Sequence, residues 1–298
     1  MNNKRPGGLL LTLLQLGKFR IAVPVALTGF LGYYRASATF DLPFLFTFFG
    51  ILLMAMGSST FNQVQERKTD MLMKRTANRP LPAGKIGLQP AILYGMLLSA
   101  GGLFLLLFTG SLVAAGIGLF TLGWYNLVYT PLKKITPFAV LPGAIIGALP
   151  PLIGWTAAGG SPVEKEILFI SFFLFIGQMP HYWLLMMKVG DEFRDAGLPV
   201  ITDIFTPPQL RNISFTWILA AAVAAAFFPA SGIMHRVPFA FLLLGGVFLF
   251  LVRMVILTFR GRIMLQWRQA FLTVNLFYLF IILVLIADQL TESYLYIE

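Results

Sequence analysis

The sequence predicts an all-α membrane protein of nine transmembrane helices, with the N-terminus cytoplasmic and the C-terminus outside. Three observations carry that prediction. Of 298 residues, 58% are hydrophobic and only 11% are charged, against roughly 25% charged in a soluble domain. Nine apolar stretches approach the ~20 residues that a helix needs to cross a bilayer. They lie at roughly 16–35, 43–63, 87–108, 111–129, 137–157, 166–187, 212–230, 237–259 and 268–287. The bases are also sorted by side. With the N-terminus inside, 19 of the 22 Lys and Arg fall in cytoplasmic loops and helix ends, and only Arg35, Lys165 and Arg236 fall outside. That asymmetry is what the positive-inside rule requires.

Taken in order, the opening M-N-N-K-R-P-G-G-L-L-L-T-L-L has the look of a signal peptide. It lacks a small-residue cleavage site, and Lys18 and Arg20 follow the apolar run, so it reads as an uncleaved lead into the first helix. Proline and glycine mark the joins between later spans: Asp41-Leu42-Pro43, Thr109-Gly110, Tyr129-Thr130-Pro131, Gly160-Ser161-Pro162, Pro207-Pro208 and Arg260-Gly261. The outer loops are short and nearly uncharged. Two inner loops are long, at about 64–86 and 188–211, and they hold six of the twelve acids. The tail carries Asp288, Glu292 and Glu298 and no base. No soluble domain or repeat is visible, so residues 1–298 read as one domain, in a multi-pass protein of the cell inner membrane.

Composition also excludes chemistry. Without cysteine there are no disulfides, thiolate nucleophiles, zinc–thiolate sites or iron–sulfur clusters. Two histidines, His181 and His235, are too few for a histidine-rich metal centre. The net charge of +10 reads as cytoplasmic loop charge rather than a nucleic-acid surface.

The stretch 62–82, N-Q-V-Q-E-R-K-T-D-M-L-M-K-R-T-A-N-R-P-L-P, interrupts this apolar chain. Asn62, Glu66 and Asp70 stand at i, i+4 and i+8, which on a helix is one polar stripe. Acid oxygens suit a hard divalent cation. Arg67, Lys68, Lys74, Arg75, Arg79, Lys133 and Lys134 suit phosphate oxygens as a group, and Arg20, at the inner end of the first span, joins them. Taken singly, each base reads as an ordinary cytoplasmic charge. Taken together with the acids they describe a metal–diphosphate site. Asp191 and Asp195, with Arg194 between them, add a second acidic cluster from the other half of the chain. The alternative is a set of solvated loop charges that pair locally. Gln178, His181, Tyr182 and Trp183 lie in the sixth span just before that cluster. Polar residues inside a span usually face the bundle or a cavity, although a lone His there is as often a hydrogen-bonded filler. His235 falls in an outer loop and receives no role.

N-x-x-x-[acid]-x-x-x-D followed by Met73-Lys74-Arg75-Thr76-x-x-Arg79-Pro80-Leu81 resembles the first motif of the UbiA-type intramembrane prenyltransferases. Three more stretches resemble the branch of that family that farnesylates haem. They are Tyr129-Thr130-Pro131-Leu132-Lys133-Lys134, Gly147-Ala148-Leu149-Pro150-Pro151-Leu152-Ile153-Gly154-Trp155, and Gln178-Met179-Pro180-His181-Tyr182-Trp183 leading into Asp191-Glu192-Phe193-Arg194-Asp195. Lys18-Phe19-Arg20 resembles the family's opening K-P-R, with Phe for Pro. The resemblance spans nearly the whole chain. It implies nine helices around a central cavity and Mg²⁺-assisted loss of diphosphate from farnesyl diphosphate. A vinyl group of haem B then attacks the allylic cation, and water completes the product. By position, Asn62, Glu66, Asp70, Asp191 and Asp195 are expected to hold Mg²⁺–diphosphate. Arg20, Arg67, Lys74, Arg75, Arg79 and Lys133 are expected on the phosphate oxygens, and His181, Tyr182 and Trp183 on the acceptor. The implied partners are farnesyl diphosphate, haem B and the bilayer, with room for haem-handling or oxidase-assembly proteins and none for nucleic acid.

One departure stands out: the family usually has Asp where this chain has Glu66, whose extra methylene reaches about 1.5 Å further. Rival readings are a prenyltransferase acting on a quinone precursor or another aromatic ring, a non-catalytic assembly factor, and an ion-coupled transporter. The transporter reading requires acids near the bilayer midplane, whereas these cluster at helix ends.

Overall fold

The computed structural model describes residues 6–259 and 263–295, and every ordered element in them is helical. In chain order these are α1 (Pro6–Leu16), α2 (Phe19–Ser37), α3 (Leu42–Asp70), α4 (Leu88–Phe108), α5 (Leu112–Gly123), a π-helical segment (Trp124–Tyr129) and the single turn α6 (Thr130–Leu132). There follow α7 (Val140–Ala157), α8 (Lys165–Asp195), α9 (Pro207–Ala226), α10 (Val237–Phe259) and α11 (Ile263–Leu295). The Arg260-Gly261 join and the tail acid Glu298 lie outside the described residues.

Each of the nine expected spans falls on a helix, but not all are equally suited to a bilayer. Seven helical stretches among the described residues are long and apolar enough to cross, and an eighth results if α1 and α2 count as one bent span. The expected span at 212–230 maps onto α9, whose first half carries Gln209, Arg211, Asn212, Ser214 and Thr216. The expected span at 16–35 is broken: the chain turns by 55° between α1 and α2. Lys18 stands in the left-handed region there, with φ of 49°. At the break the Lys18 side chain reaches Asn62 on α3.

Small residues set the close approaches. Gly32 on α2 and Gly154 on α7 lie backbone to backbone; a Cβ on either would strike a carbonyl oxygen of the other helix, Pro151 or Gly29 respectively. Where lipid supplies no hydrophobic drive between helices, such approaches let dispersion hold the pair. α3 lies along α4, while α7 packs on α2 and α8 and ties the first half of the chain to the second. One apolar core joins α8, α9, α10 and α11 through residues such as Phe173, Phe228, Met254 and Phe277. Another joins α2, α3, α5 and α7 through Ala26, Ile51, Met54 and Ile153.

At the far end of α2, Arg35 is buried and binds three other elements. Its Nε donates to Glu166 Oε1 at 2.6 Å, its Nη2 donates to the Ile233 carbonyl at 2.5 Å, and its Nη1 lies 3.5 Å from Asp288 Oδ2. Asp288 also accepts from the backbone N–H of His235 and Arg236, both at 2.9 Å. Residues that fall outside in the sequence reading thus form a buried charged lock between α2, α8, α11 and the turn before α10.

Two helices run further than expected. α3 continues to Asp70 and α8 to Asp195, so all but Asp203 of the acids assigned to loops at 64–86 and 188–211 ride on the ends of these helices. Their direction is thereby set by the rigid bundle rather than by a loop.

Candidate active site

The stripe on α3 is real, and each of its members meets a side chain from a different element. Asn62 Oδ1 accepts from Lys18 Nζ at 2.8 Å, and its Nδ2 donates to Thr130 Oγ1 at 3.2 Å. Glu66 Oε1 lies 2.5 Å from Lys133 Nζ. Both oxygens of Asp70 accept from Arg79 Nη1, at 2.9 and 2.7 Å. Asn62 and Asp70 are buried. Lys18 comes from the α1–α2 break, Lys133 from the end of α6, and Arg79 from the turns after α3. Thr76 Oγ1 secures those turns by donating to the Asp70 carbonyl at 2.9 Å. Three basic side chains and two carboxylates therefore occupy one patch.

The π-helical segment aims part of this patch. Its wider turn lets Thr130 Oγ1 donate to the Tyr125 carbonyl, five residues back, at 2.8 Å. Asn126 Nδ2 ties the segment to α3 through Ser58 Oγ at 3.0 Å. Tyr129 then lies under Lys133, whose Nζ is 5.0 Å from the ring centroid, a cation–π contact.

A cavity of about 320 Å³ opens beside the patch, lined by α2, α3, α5, the π segment, α7 and α8. Its wall is mostly apolar (Ile21, Val25, Ile51, Met54, Ile153, Leu185), with Ser58, Ser59, Thr121, Tyr125, Tyr129, Gln178, His181 and Tyr182 as polar exceptions. Ser58 and Ser59 stand one turn before Asn62 on the same helix, so the charged patch continues the cavity's α3 wall. An apolar chamber with a few polar groups is the usual form of a small-molecule site.

The remaining expected residues are placed less closely. Asp191 and Asp195 are exposed at the end of α8, and Arg194 bridges Asp191 and Asp203 at 2.8 and 2.5 Å. The link between the two polar regions is Glu192, whose Oε2 accepts from the Arg75 N–H at 3.2 Å. Lys74, Arg75 and Arg20 are exposed, and Arg67 Nη1 donates to the Val64 carbonyl of its own helix at 3.0 Å. His181 and Tyr182 line the cavity, whereas Trp183 is buried against Met179 and Met186 and is not part of its wall. Among the described residues no three His, Asp or Glu side chains converge tightly enough to cage a metal ion. Mg²⁺, however, is commonly held by one or two carboxylates plus substrate phosphate rather than by an all-protein cage. The oxygen donors of Glu66 and Asp70, each beside a cation able to transfer to phosphate, fit that mode. Lys18, Tyr125, Tyr129 and Thr130 carry parts of the site that the sequence reading left without a role; the signal for Lys18 is its place in Lys18-Phe19-Arg20, a basic interruption between two apolar runs.

Residues 22–281 match the UbiA prenyltransferase family. The chain belongs to that family. A UbiA-family relative from Geobacter sulfurreducens, a protoheme IX farnesyltransferase, is 42% identical over 189 residues, covering 62% of this chain and 68% of the relative. Another protoheme IX farnesyltransferase, from Oleidesulfovibrio alaskensis, is 32% identical over 278 residues, covering 93% and 96%. Among solved structures, a digeranylgeranylglyceryl phosphate synthase superposes with a TM-score of 0.76 at 18% identity, over 95% of this chain and 99% of that one. A UbiA homolog from Archaeoglobus fulgidus bound to GPP and Mg²⁺ superposes with a TM-score of 0.70 at 15% identity, over 94% and 99%. At those identities the structures speak for the UbiA fold, which is all-helical here.

Proposed function

We propose that this protein transfers a farnesyl group from farnesyl diphosphate to a vinyl group of haem B, with addition of water, giving haem O. One observation carries the reading: two acid–base pairs and a lysine–amide pair on one face of α3, continuing the wall of an apolar cavity. A prenyl diphosphate is itself split this way, a highly charged head on an apolar tail. The head suits the patch and the tail suits the cavity. The haem acceptor rests on the two relatives named protoheme IX farnesyltransferase.

In this reading the ion pairs exchange partners when substrate arrives. Arg79, Lys133 and Lys18 turn from Asp70, Glu66 and Asn62 to the phosphate oxygens, which supplies fixed positive charge where the leaving group develops negative charge. Asn62, Glu66 and Asp70, with Asp191 and Asp195 from α8, would hold Mg²⁺, which when bound neutralises the diphosphate and makes it a better leaving group. Lys74, Arg75 and Arg67 lie at the rim and add to the local field, as does Arg20. The Glu192–Arg75 contact ties the turns after α3 to the end of α8. Tyr125 and Tyr129 present aromatic faces along the cavity, suited to an allylic cation. His181 and Tyr182 face the acceptor from α8, and Trp183 backs them from the core. The apolar wall keeps bulk water from the cation until the vinyl group has attacked.

The same reading sets nine spans, including the bent α1–α2 pair and α9, around this cavity as one domain over residues 1–298. The N-terminus is cytoplasmic and the C-terminus outside, in the cell inner membrane. Prenylation of a quinone precursor is the second reading, because the α3 patch serves any prenyl diphosphate. The test is diphosphate release by the purified protein from farnesyl diphosphate, with Mg²⁺ and with chelator, in the presence of haem B or of a 4-hydroxybenzoate-type ring. Release that needs both Mg²⁺ and haem B is expected. Release driven only by the aromatic ring would move the protein to the second reading.

A further inference from the structure

The surroundings of His181 determine which of its ring nitrogens carries the proton. Asn275 on α11 donates from Nδ2 to the Phe271 carbonyl at 2.7 Å. That bond sets the amide, because a half-turn would press Oδ1 against another oxygen with no proton between them. Oδ1 therefore faces His181, 3.1 Å from Nδ1. An amide oxygen only accepts, so Nδ1 is the N–H. The Phe271 ring backs the imidazole, with centroids 4.6 Å apart. In the neutral ring the lone pair then belongs to Nε2. Nε2 has no hydrogen-bond partner among the described residues, and the ring lines the cavity.

An imidazole held through Nδ1–H by an oxygen acceptor, with Nε2 bare, is the arrangement in which histidine binds metals. Yet no second or third metal-binding side chain converges on it among the described residues. One imidazole in an apolar chamber cannot assemble a coordination sphere from free ions. It suits a metal that arrives with its other ligands already in place and needs one more, the axial position of an iron porphyrin.

We infer that His181 Nε2 is an axial ligand to the iron of the acceptor haem, and that Asn275 is the positioning residue that holds the ring for it. This rests on the reading of haem as acceptor. The iron–nitrogen bond pins the centre of the macrocycle at α8 and leaves its rim, where the vinyl groups are, free to meet the prenyl group. Phe271 and Asn275 make α11 part of the acceptor seat.

The experiment titrates full-length protein in lipid nanodiscs with ferric haem B, and separately with metal-free protoporphyrin IX, following absorption and electron paramagnetic resonance. Wild type is expected to give a histidine-ligated spectrum. His181→Ala is expected to lose that spectrum and weaken haem binding by at least ~10-fold, to recover it with added imidazole, and to bind metal-free protoporphyrin IX as wild type does. Asn275→Leu is expected to shift the ligand-field signals, and Asn275→Asp to restore them. Binding of a non-hydrolysable farnesyl diphosphate analogue reports that each variant is folded. A folded His181→Ala protein with the wild-type haem spectrum overturns the inference and leaves the haem-acceptor reading standing. Wild-type protein that binds the farnesyl analogue but no haem overturns both.

Discussion

Replacing Arg79 by Met strands the Asp70 carboxylate. Asp70 is buried, its side chain 1% exposed, and both its oxygens accept from Arg79, whose side chain is 22% exposed. Breaking a buried pair by removing one partner costs about 3–5 kcal/mol, because a charge is left in a medium that solvates it poorly. Water already reaches Arg79, so the lower end, about 3 kcal/mol, applies. At about 2–4 °C per kcal/mol, the melting temperature in detergent should fall by ~6–12 °C. Asp70→Asn combined with Arg79→Met removes both charges and should recover most of that loss. Turnover should stay absent in both proteins, since each lacks a group that handles the diphosphate. Thermal melting beside diphosphate release separates the two effects. An Arg79→Met protein that melts like wild type would refute the argument that the pair is desolvated. A double variant that regains turnover would refute the catalytic part.

Other consequences are direct. Glu66→Asp should keep turnover, because the carboxylate remains and Lys133 is a flexible partner, whereas Glu66→Ala should cost about 10²-fold in kcat; steady-state kinetics decide between them. Asp195→Ala should abolish turnover and shift stability by no more than about 0.5 kcal/mol, because the residue is exposed at a helix end; melting and activity on one preparation test this. Arg35→Met, at the far end of α2, leaves Asp288 and Glu166 without their guanidinium. It should destabilise by about 3–5 kcal/mol while kcat per folded molecule stays at the wild-type value.

The spacing of Asn62, Glu66 and Asp70 makes the central feature legible in the sequence alone, because a helix converts a four-residue step into one face. Apolar run length locates the helices for a similar reason: in lipid the backbone must satisfy itself within each segment. What stays illegible depends on contacts distant in sequence. Lys18 reads as a flanking charge until the α1–α2 break turns it toward Asn62, 44 residues on. Arg35, His235, Arg236 and Asp288 look like scattered outer-loop charges, yet they converge from three parts of the chain. The π-helical turn at Trp124–Tyr129 has no simple sequence signature, so Tyr129 beneath Lys133 could not be foreseen. Trp183, adjacent to two cavity residues, is rotated by one helical step into the core. α9 exposes the limit of run length itself: residues 212–230 count as a span by length, yet the helix that carries most of them is polar in its first half and is not among those apolar enough to cross.

The most direct measurement is turnover with the natural pair of substrates. Purified protein in lipid would be incubated with Mg²⁺, farnesyl diphosphate and haem B, and the extracted haem examined by mass spectrometry. The account predicts a new haem heavier by one farnesyl group and one hydroxyl, the water's other proton being released, absent from Asp70→Asn protein. Unmodified haem from folded wild-type protein that binds both substrates would contradict it.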